Sequence, residues 1–293
     1  MQEPGTETQL EETDVREVER WPIIAPETFA SPSAAAPLWR GFDSPTFAAW
    51  DQTQVQDSRT GSTISKTPEM AKSVMSVRPV ADPALRHFGE PYNFYVTVRK
   101  RTDGVSRSEL VHFPKNGSKD GQQYFYRWST WFPKEDAQGK KLFPIGPGER
   151  GVWQVFTQWH QASDQGSPPI AFSVKNKNKK PYIGLEFDGN EPSWTVPFEY
   201  NEWHNFVVRV KFSNKTKDGH PVGEVELWYS TGTDLPQPMG SWNVMTTATK
   251  GSQRPYLKHG LYRSQKYYGE RVSYLVHSGM MEGLTLASVF PCS

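Results

Sequence analysis

Three short segments carry polar side chains of complementary chemistry: Ser106-Arg107-Ser108-Glu109-Leu110, Gln158-Trp159-His160, and Tyr256-Leu257-Lys258-His259-Gly260-Leu261-Tyr262. Read as strands, each puts its reactive groups on one side, because successive side chains of a strand alternate faces. Arg107 then shares a face with Glu109, Gln158 with His160, and Tyr256, Lys258 and Gly260 with Tyr262. Gln158 and His160 would stand about 7 Å apart, two strand rises. A cation, an amide, an imidazole and a phenol on one surface are the parts needed to β-eliminate a uronic acid.

The chemistry explains the combination. The proton beside a carboxylate is weakly acidic until the carboxylate's charge is offset, and Arg107, Gln158 or His160 can supply the donors that do so and that stabilise the enediolate. A base must remove that proton, and an acid must protonate the departing glycosidic oxygen. Tyr262 can serve as both if neighbouring cations such as Lys258 and Arg107 draw its phenol toward phenolate. Alternatively His160 is the base and Tyr262 the acid. Gly260, between a lysine and a tyrosine inside a strand, implies that something approaches the backbone there, a sugar ring or a neighbouring strand.

The elements that must hold these residues are short and turn-bounded. From Tyr92 onward, strands are expected over 92–100, 106–113, 122–132, 151–160, 170–175, 181–187, 203–212, 222–230, 254–264, 271–277 and 283–290, separated by Gly, Pro, Asn and Asp. His204, Phe206, Val208, Val210 and Phe212 alternate with Asn205, Arg209 and Lys211, the mark of a strand with one buried side. Val225, Leu227 and Tyr229 repeat this opposite Glu224, Glu226 and Ser230. In 153–160 the same rule assigns Trp153, Val155, Thr157 and Trp159 to the core, and Gln154, Phe156, Gln158 and His160 to a groove wall. Two curved antiparallel sheets packed as an all-β jelly roll, with an open substrate groove, are the expected fold.

Residues 1–37 read as a flexible tail, acidic and then Pro-rich, and residues 38–293 as a single domain. Residues 38–90 mix Trp39, Phe42, Phe47 and Trp50 with polar turns and are expected to supply an edge strand and covering loops. The basic run Lys175-Asn176-Lys177-Asn178-Lys179-Lys180 reads as a hairpin tip able to guide an anionic polymer.

Composition sets outer limits. The 293 residues carry 33 Lys and Arg against 32 Asp and Glu, so no basic field points to nucleic acid. Aromatic residues make up 13% of the chain, with 11 Trp, 12 Tyr and 16 Phe, which suits a surface that stacks on sugars. The single cysteine, Cys292, can form no internal disulfide. No apolar stretch approaches the roughly 20 residues of a membrane span. A monomer secreted toward a polymeric substrate is expected. No cofactor is required by this chemistry, and no ligand set supports a structural Ca²⁺.

The three motifs, in this order, resemble those of the jelly-roll polysaccharide lyases: alginate lyases with Arg-Thr-Glu-Leu, Gln-Ile-His and Tyr-Phe-Lys-x-Gly-x-Tyr, and their relatives the heparin lyase I and glucuronan lyase groups. Glu202-Trp203-His204-Asn205-Phe206-Val207-Val208 and Val225-Glu226-Leu227-Trp228 are most similar to the heparin lyase I and glucuronan lyase side. The resemblance runs from about residue 92 to 290. It implies that Tyr262, His160 and Gln158 are catalytic, that Arg107 partners the carboxylate, and that Lys258 is a substrate or activating cation. Glu109, Tyr256, Arg263 and Lys175 are counted with the substrate-binding side chains. Trp159 between Gln and His, and Val111-His112 after Leu110, depart from the alginate lyase pattern and favour another uronate, glucuronan first.

Two rivals come from the same residues. Glu186-Phe187-Asp188-Gly189-Asn190-Glu191 fits the Glu-x-Asp-x-x-Glu pattern of laminarinase-type hydrolases, but Asp188-Gly189-Asn190 is turn chemistry that would take Glu191 off the strand. A non-catalytic carbohydrate-binding jelly roll would use the aromatic surface alone. His204, on an apolar face, reads as a hydrogen-bonded core residue.

Overall fold

The computed structural model describes residues 36–57, 61–65, 74–80, 85, 87–99, 105–149, 151–161, 166–247, 255–264 and 271–290. Most of the expected N-terminal tail, and Cys292, lie outside these residues. The strands are β1 (Trp39–Arg40), β2 (Gln52–Asp57), β3 (Gly61–Ser65), β4 (Met75–Pro79), β5 (Tyr92–Val98), β6 (Val105–His112), β7 (Gln123–Trp131), β8 (Gln154–His160) and β9 (Ile170–Lys177). They continue as β10 (Lys180–Phe187), β11 (Trp194–Pro197), β12 (Trp203–Lys211), β13 (Thr216–Lys217), β14 (His220–Pro221), β15 (Glu224–Thr231), β16 (Gln237–Asn243), β17 (Tyr256–Ser264) and β18 (Ser273–Gly283).

Two eight-stranded antiparallel sheets result. The first runs β16-β15-β12-β7-β18-β5-β4, with β1 also on β18; the second runs β11-β10-β9-β8-β17-β6-β2-β3. The alternation read in 203–212 decides the packing. Phe206 and Val208 point inward from β12, and Phe206 meets Phe172 of β9 at 5.3 Å and Trp128 of β7 at 5.0 Å. Trp128 in turn reaches Trp159 of β8 at 6.1 Å. Burying such large aromatic side chains between the sheets supplies most of the driving force for the sandwich. This is the jelly-roll architecture expected from the strand pattern.

Local details follow the turn chemistry. Asn178 and Lys179 both take positive φ, 54° and 64°, and join β9 to β10 in a two-residue hairpin, the tip expected of the basic run. Asp188 and Gly189, at φ 52° and 71°, turn the chain off β10, so Glu191 leaves the strand. His204 donates from Nε2 to the Glu199 carbonyl at 2.9 Å and accepts at Nδ1 from the Tyr229 hydroxyl at 2.7 Å, fully buried.

Two expectations need correction. The segment 283–290 is not a strand: β18 ends at Gly283, and Leu286–Val289 form a helical turn, α1, capped by Thr285, whose Oγ1 accepts from Ser288 N. The Thr285-Leu-Ala-Ser288 capping arrangement outweighs the apolar run. Residues 38–90 supply more than an edge: among them β2 lies inside the second sheet, between β3 and β6.

Candidate active site

Strands β2, β6, β17 and β8 are neighbours in the second sheet and bring the three motifs together on the face turned away from the core. In register, Arg107 stands opposite Tyr262, Glu109 opposite Gly260, Lys258 opposite Gln158, and Tyr256 opposite His160. On the far side of β6, Gln54 pairs with Glu109. The inward face of the same strands carries Leu110, Trp159, Leu257 and Leu261, all fully buried. Strand alternation thus anchors one side in the core while presenting the other.

The alternation breaks once, inside β8. A register shift between Val155 and Thr157 turns both Phe156 and Thr157 inward, Phe156 onto Phe132 at 5.4 Å and Thr157 Oγ1 to 3.0 Å from His259 Nδ1. A bulge of this kind inverts every residue before it. Gln154 is therefore interior rather than on the groove wall: its Nε2 donates to the Pro144 carbonyl at 2.8 Å, and its Oε1 accepts from Ser273 Oγ at 2.6 Å. Trp153, expected in the core, instead lies with its ring 4.6 Å from that of Tyr262. No residue pattern in the sequence marks such a bulge.

The polar side chains form one connected cluster. Gln158, fully buried, donates from Nε2 to Glu109 Oε1 at 2.5 Å. Glu109 Oε2 lies 3.7 Å from Arg107 Nη1, which donates to Gln54 Oε1 at 3.2 Å. The Arg107 guanidinium covers the Tyr262 ring at 4.1 Å, and Lys258 Nζ lies 5.6 Å from the centre of the Tyr256 ring. Three buried atoms of the cluster, Arg107 Nε, Glu109 Oε2 and Gln158 Oε1, have no hydrogen-bond partner.

Protonation states follow from burial and partners. His160 Nδ1 is bonded to the Gln161 carbonyl, which only accepts, so the proton sits on Nδ1 and Nε2 keeps its lone pair. Burial, with the positive charge of Lys258, lowers the His160 pKa to about 4, so the ring is neutral near pH 7. Burial raises the Tyr262 pKa more than Arg107 lowers it, leaving the phenol protonated. Expected cationic activation to phenolate thus loses to desolvation. Burial also brings Lys258 down to about 8, with Glu109 acting the other way.

Other predicted residues are placed differently. Arg263 alternates inward on β17 and is fully buried, donating to Ser273 Oγ and to the Arg271 carbonyl, both at 2.6 Å. It does not reach the outer face. Lys175 is on that face, on β9, with its charge matched by Glu186 Oε2 at 2.6 Å. At Gly260 the close approach is by protein: with φ at +149°, a Cβ would lie 2.2 Å from the Ser108 carbonyl oxygen and 2.9 Å from Glu109 Cα. The glycine admits strand β6 rather than a sugar ring. Gln54 was not singled out by the sequence, because its strand lies in the segment where no alternation was evident, and Trp153 was read only as a core residue.

The hydrolase pattern does not assemble. Glu186 is buried and bonded to Ser173 and Lys175, whereas Asp188 and Glu191 are exposed in the turn beyond β10. Glu109 and Glu186 lie four strands apart, about 19 Å at strand spacing, where paired hydrolytic carboxylates stand about 5 to 9.5 Å apart.

Comparison with known proteins agrees with this architecture. Among solved structures, a GH131 beta-glucanase catalytic domain from Podospora anserina is similar, with a TM-score of 0.51 and 15% identity over 80% of this chain and 88% of that one. An alginate lyase from Klebsiella pneumoniae gives 0.48 and 8% over 80% and 95%, and the PL-14 alginate lyase from Aplysia kurodai 0.45 and 9% over 81% and 100%. At 15% identity the likeness to the beta-glucanase domain speaks to the sandwich alone. No curated protein sequence matches the chain. The family model described as polysaccharide lyase matches residues 42–277, a span that includes Gln54, all three motifs and every strand between them. The chain belongs to the polysaccharide lyase family.

Proposed function

We propose that this lyase cleaves a uronate-containing polysaccharide by β-elimination in an open groove along the outer face of the second sheet. Glucuronan or a related glucuronate polymer is the first substrate, with alginate and heparin-like chains next. The reading is carried by one observation: a buried cluster with two cations, Arg107 and Lys258, and one carboxylate, Glu109, beside a neutral imidazole with a free Nε2 and a protonated phenol. A sugar carboxylate complements the surplus charge. The Arg107 guanidinium, with its planar fork of donors, suits the carboxylate of a uronate.

In this mechanism Arg107 and the second N–H of Gln158 offset the substrate carboxylate, which acidifies the neighbouring C–H. His160 Nε2 takes that proton, the electron pair forms the new carbon–carbon double bond, and the glycosidic C–O bond breaks. Tyr262 gives its phenolic proton to the leaving oxygen. Lys258 holds positive charge beside the developing enediolate, and Tyr256 and Lys175 flank the bound chain. The enzyme acts as a secreted monomer on a polymer outside the cell.

Incubation with glucuronan, alginate and heparin, followed by ultraviolet absorbance of the unsaturated sugar, tests this. Absorbance rising with one of these polymers is the expected result. New reducing ends without it would replace elimination by hydrolysis, and binding without either would leave a carbohydrate-binding surface.

A further inference from the structure

Alternation along β6 does not stop at its last residue. Val111 points to the outer face, His112 inward, and Phe113 outward again. Phe113 is 44% exposed, unusual for so large an apolar side chain beside a buried polar cluster. Its ring lies 5.2 Å from that of Tyr256, and Tyr256 lies 6.1 Å from the His160 ring. Phe113, Tyr256 and His160 therefore form one row across three strands, next to the row of Lys258 and Gln158.

The exposed ring is held from behind. Phe113 N donates to Asp51 Oδ2 at 2.8 Å, and Asp51 N donates to the Val111 carbonyl at 2.9 Å. The same Asp51 carboxylate lies 3.3 Å from His112 Nδ1, and His112 Nε2 lies 3.4 Å from Glu282 of the opposite sheet. Phe113 thus sits at a braced strand end, where an aromatic face can be offered to a partner at little cost in ordering. An apolar face at one end of a cationic cluster fits a ligand that is charged at one unit and presents C–H groups at the next.

We propose that Phe113 and Tyr256 are a stacking platform for the sugar ring adjacent to the one that reacts, bound through its C–H face on the His160 side of the site. This rests on the uronate lyase reading and adds a residue that positions the chain rather than one that takes part in proton transfer.

Two measurements test it, with unsaturated product from the wild-type enzyme reporting separately on the parent reading. With the uronate polymer cleaved fastest, Phe113→Ala should raise KM by about three- to tenfold, the worth of one aromatic contact, while kcat falls much less. Phe113→Trp should restore KM. In a Tyr262→Phe background, Phe113→Ala should weaken polymer binding by the same factor in calorimetry, with glucuronan as the probe if the wild type cleaves nothing. An unchanged Kd overturns the platform whether or not elimination occurs. A KM defect that Trp fails to rescue also overturns it.

Discussion

The guanidinium of Arg107 lies 4.1 Å above the ring of Tyr262, and Trp153 meets the same ring at 4.6 Å with the planes inclined by 62°. The phenol is thus clamped between a cation and an indole. A guanidinium over a π face is attractive, and here it also offers Nη1 to Gln54. The clamp fixes where the proton donor stands without ionising it, since burial dominates its titration.

Tyr262→Phe keeps the ring and its contacts and removes only the hydroxyl. It should lower kcat by about a hundredfold to ten-thousandfold with little change in polymer affinity or thermal stability. Initial rates of unsaturated product and calorimetric binding check this; turnover within tenfold of wild type would show that the acid lies elsewhere.

The pH profile of kcat/KM should be bell-shaped. His160 acts as a base only when neutral, so activity falls as pH drops through about 4. Lys258 is useful only when charged, so activity falls again as pH rises through about 8. Glu109 raises the pKa of both Lys258 and His160, so Glu109→Gln should move both limbs of the profile to lower pH. A basic limb that stays put would mean another group sets it.

Gly260→Ala should destabilise the fold by about 2 kcal/mol or more, because it combines a positive φ with a clash against the Ser108 carbonyl. Denaturant midpoints measure this. Loss of binding at full stability would instead return the glycine to a role in substrate contact.

His112 links the sheets and makes stability pH-dependent. Burial lowers its pKa, but the nearby carboxylates of Asp51 and Glu282 more than offset this and the net shift is upward. The folded value exceeds the unfolded 6.5, so the contribution is complete below pH 6.5 and is lost as pH rises through the folded value. Asp51, net lowered from 3.8 by His112 and Phe113 N against its burial, contributes above pH 3.8 and loses that as pH falls through its folded value. Chemical denaturation of the wild type between pH 5 and about pH 8 should show the decline, and His112→Gln should flatten it.

Much of this was legible where periodicity is strict. Segments 203–212 and 224–230 announced their buried faces, and Arg107, Glu109, Gln158, His160, Lys258 and Tyr262 fell on one surface because alternation holds within each motif, on β17 even across the shift against β8 between His259 and Tyr262. Most of what failed was non-local. The register shift at Phe156 depends on β9 and β17 and so reversed Trp153 and Gln154. Arg263 required only consistent alternation from Tyr262, which would have turned it inward. Gln54 belongs to a strand whose Gln-Thr-Gln-Val-Gln-Asp pattern shows no wholly apolar side. Residues 286–289 are apolar enough for a strand, and only the capping geometry identifies them as helical.

Strand β6 is flanked by β2, made before it, and by β17, made some two hundred residues after β2. A nascent polypeptide cannot complete the pocket wall until residue 262 has cleared the ribosome, even though Arg107 and Gln54 are long since available. Non-local pairing of this kind favours slow maturation, and it makes acquisition of enzymatic competence wait on the synthesis of β17.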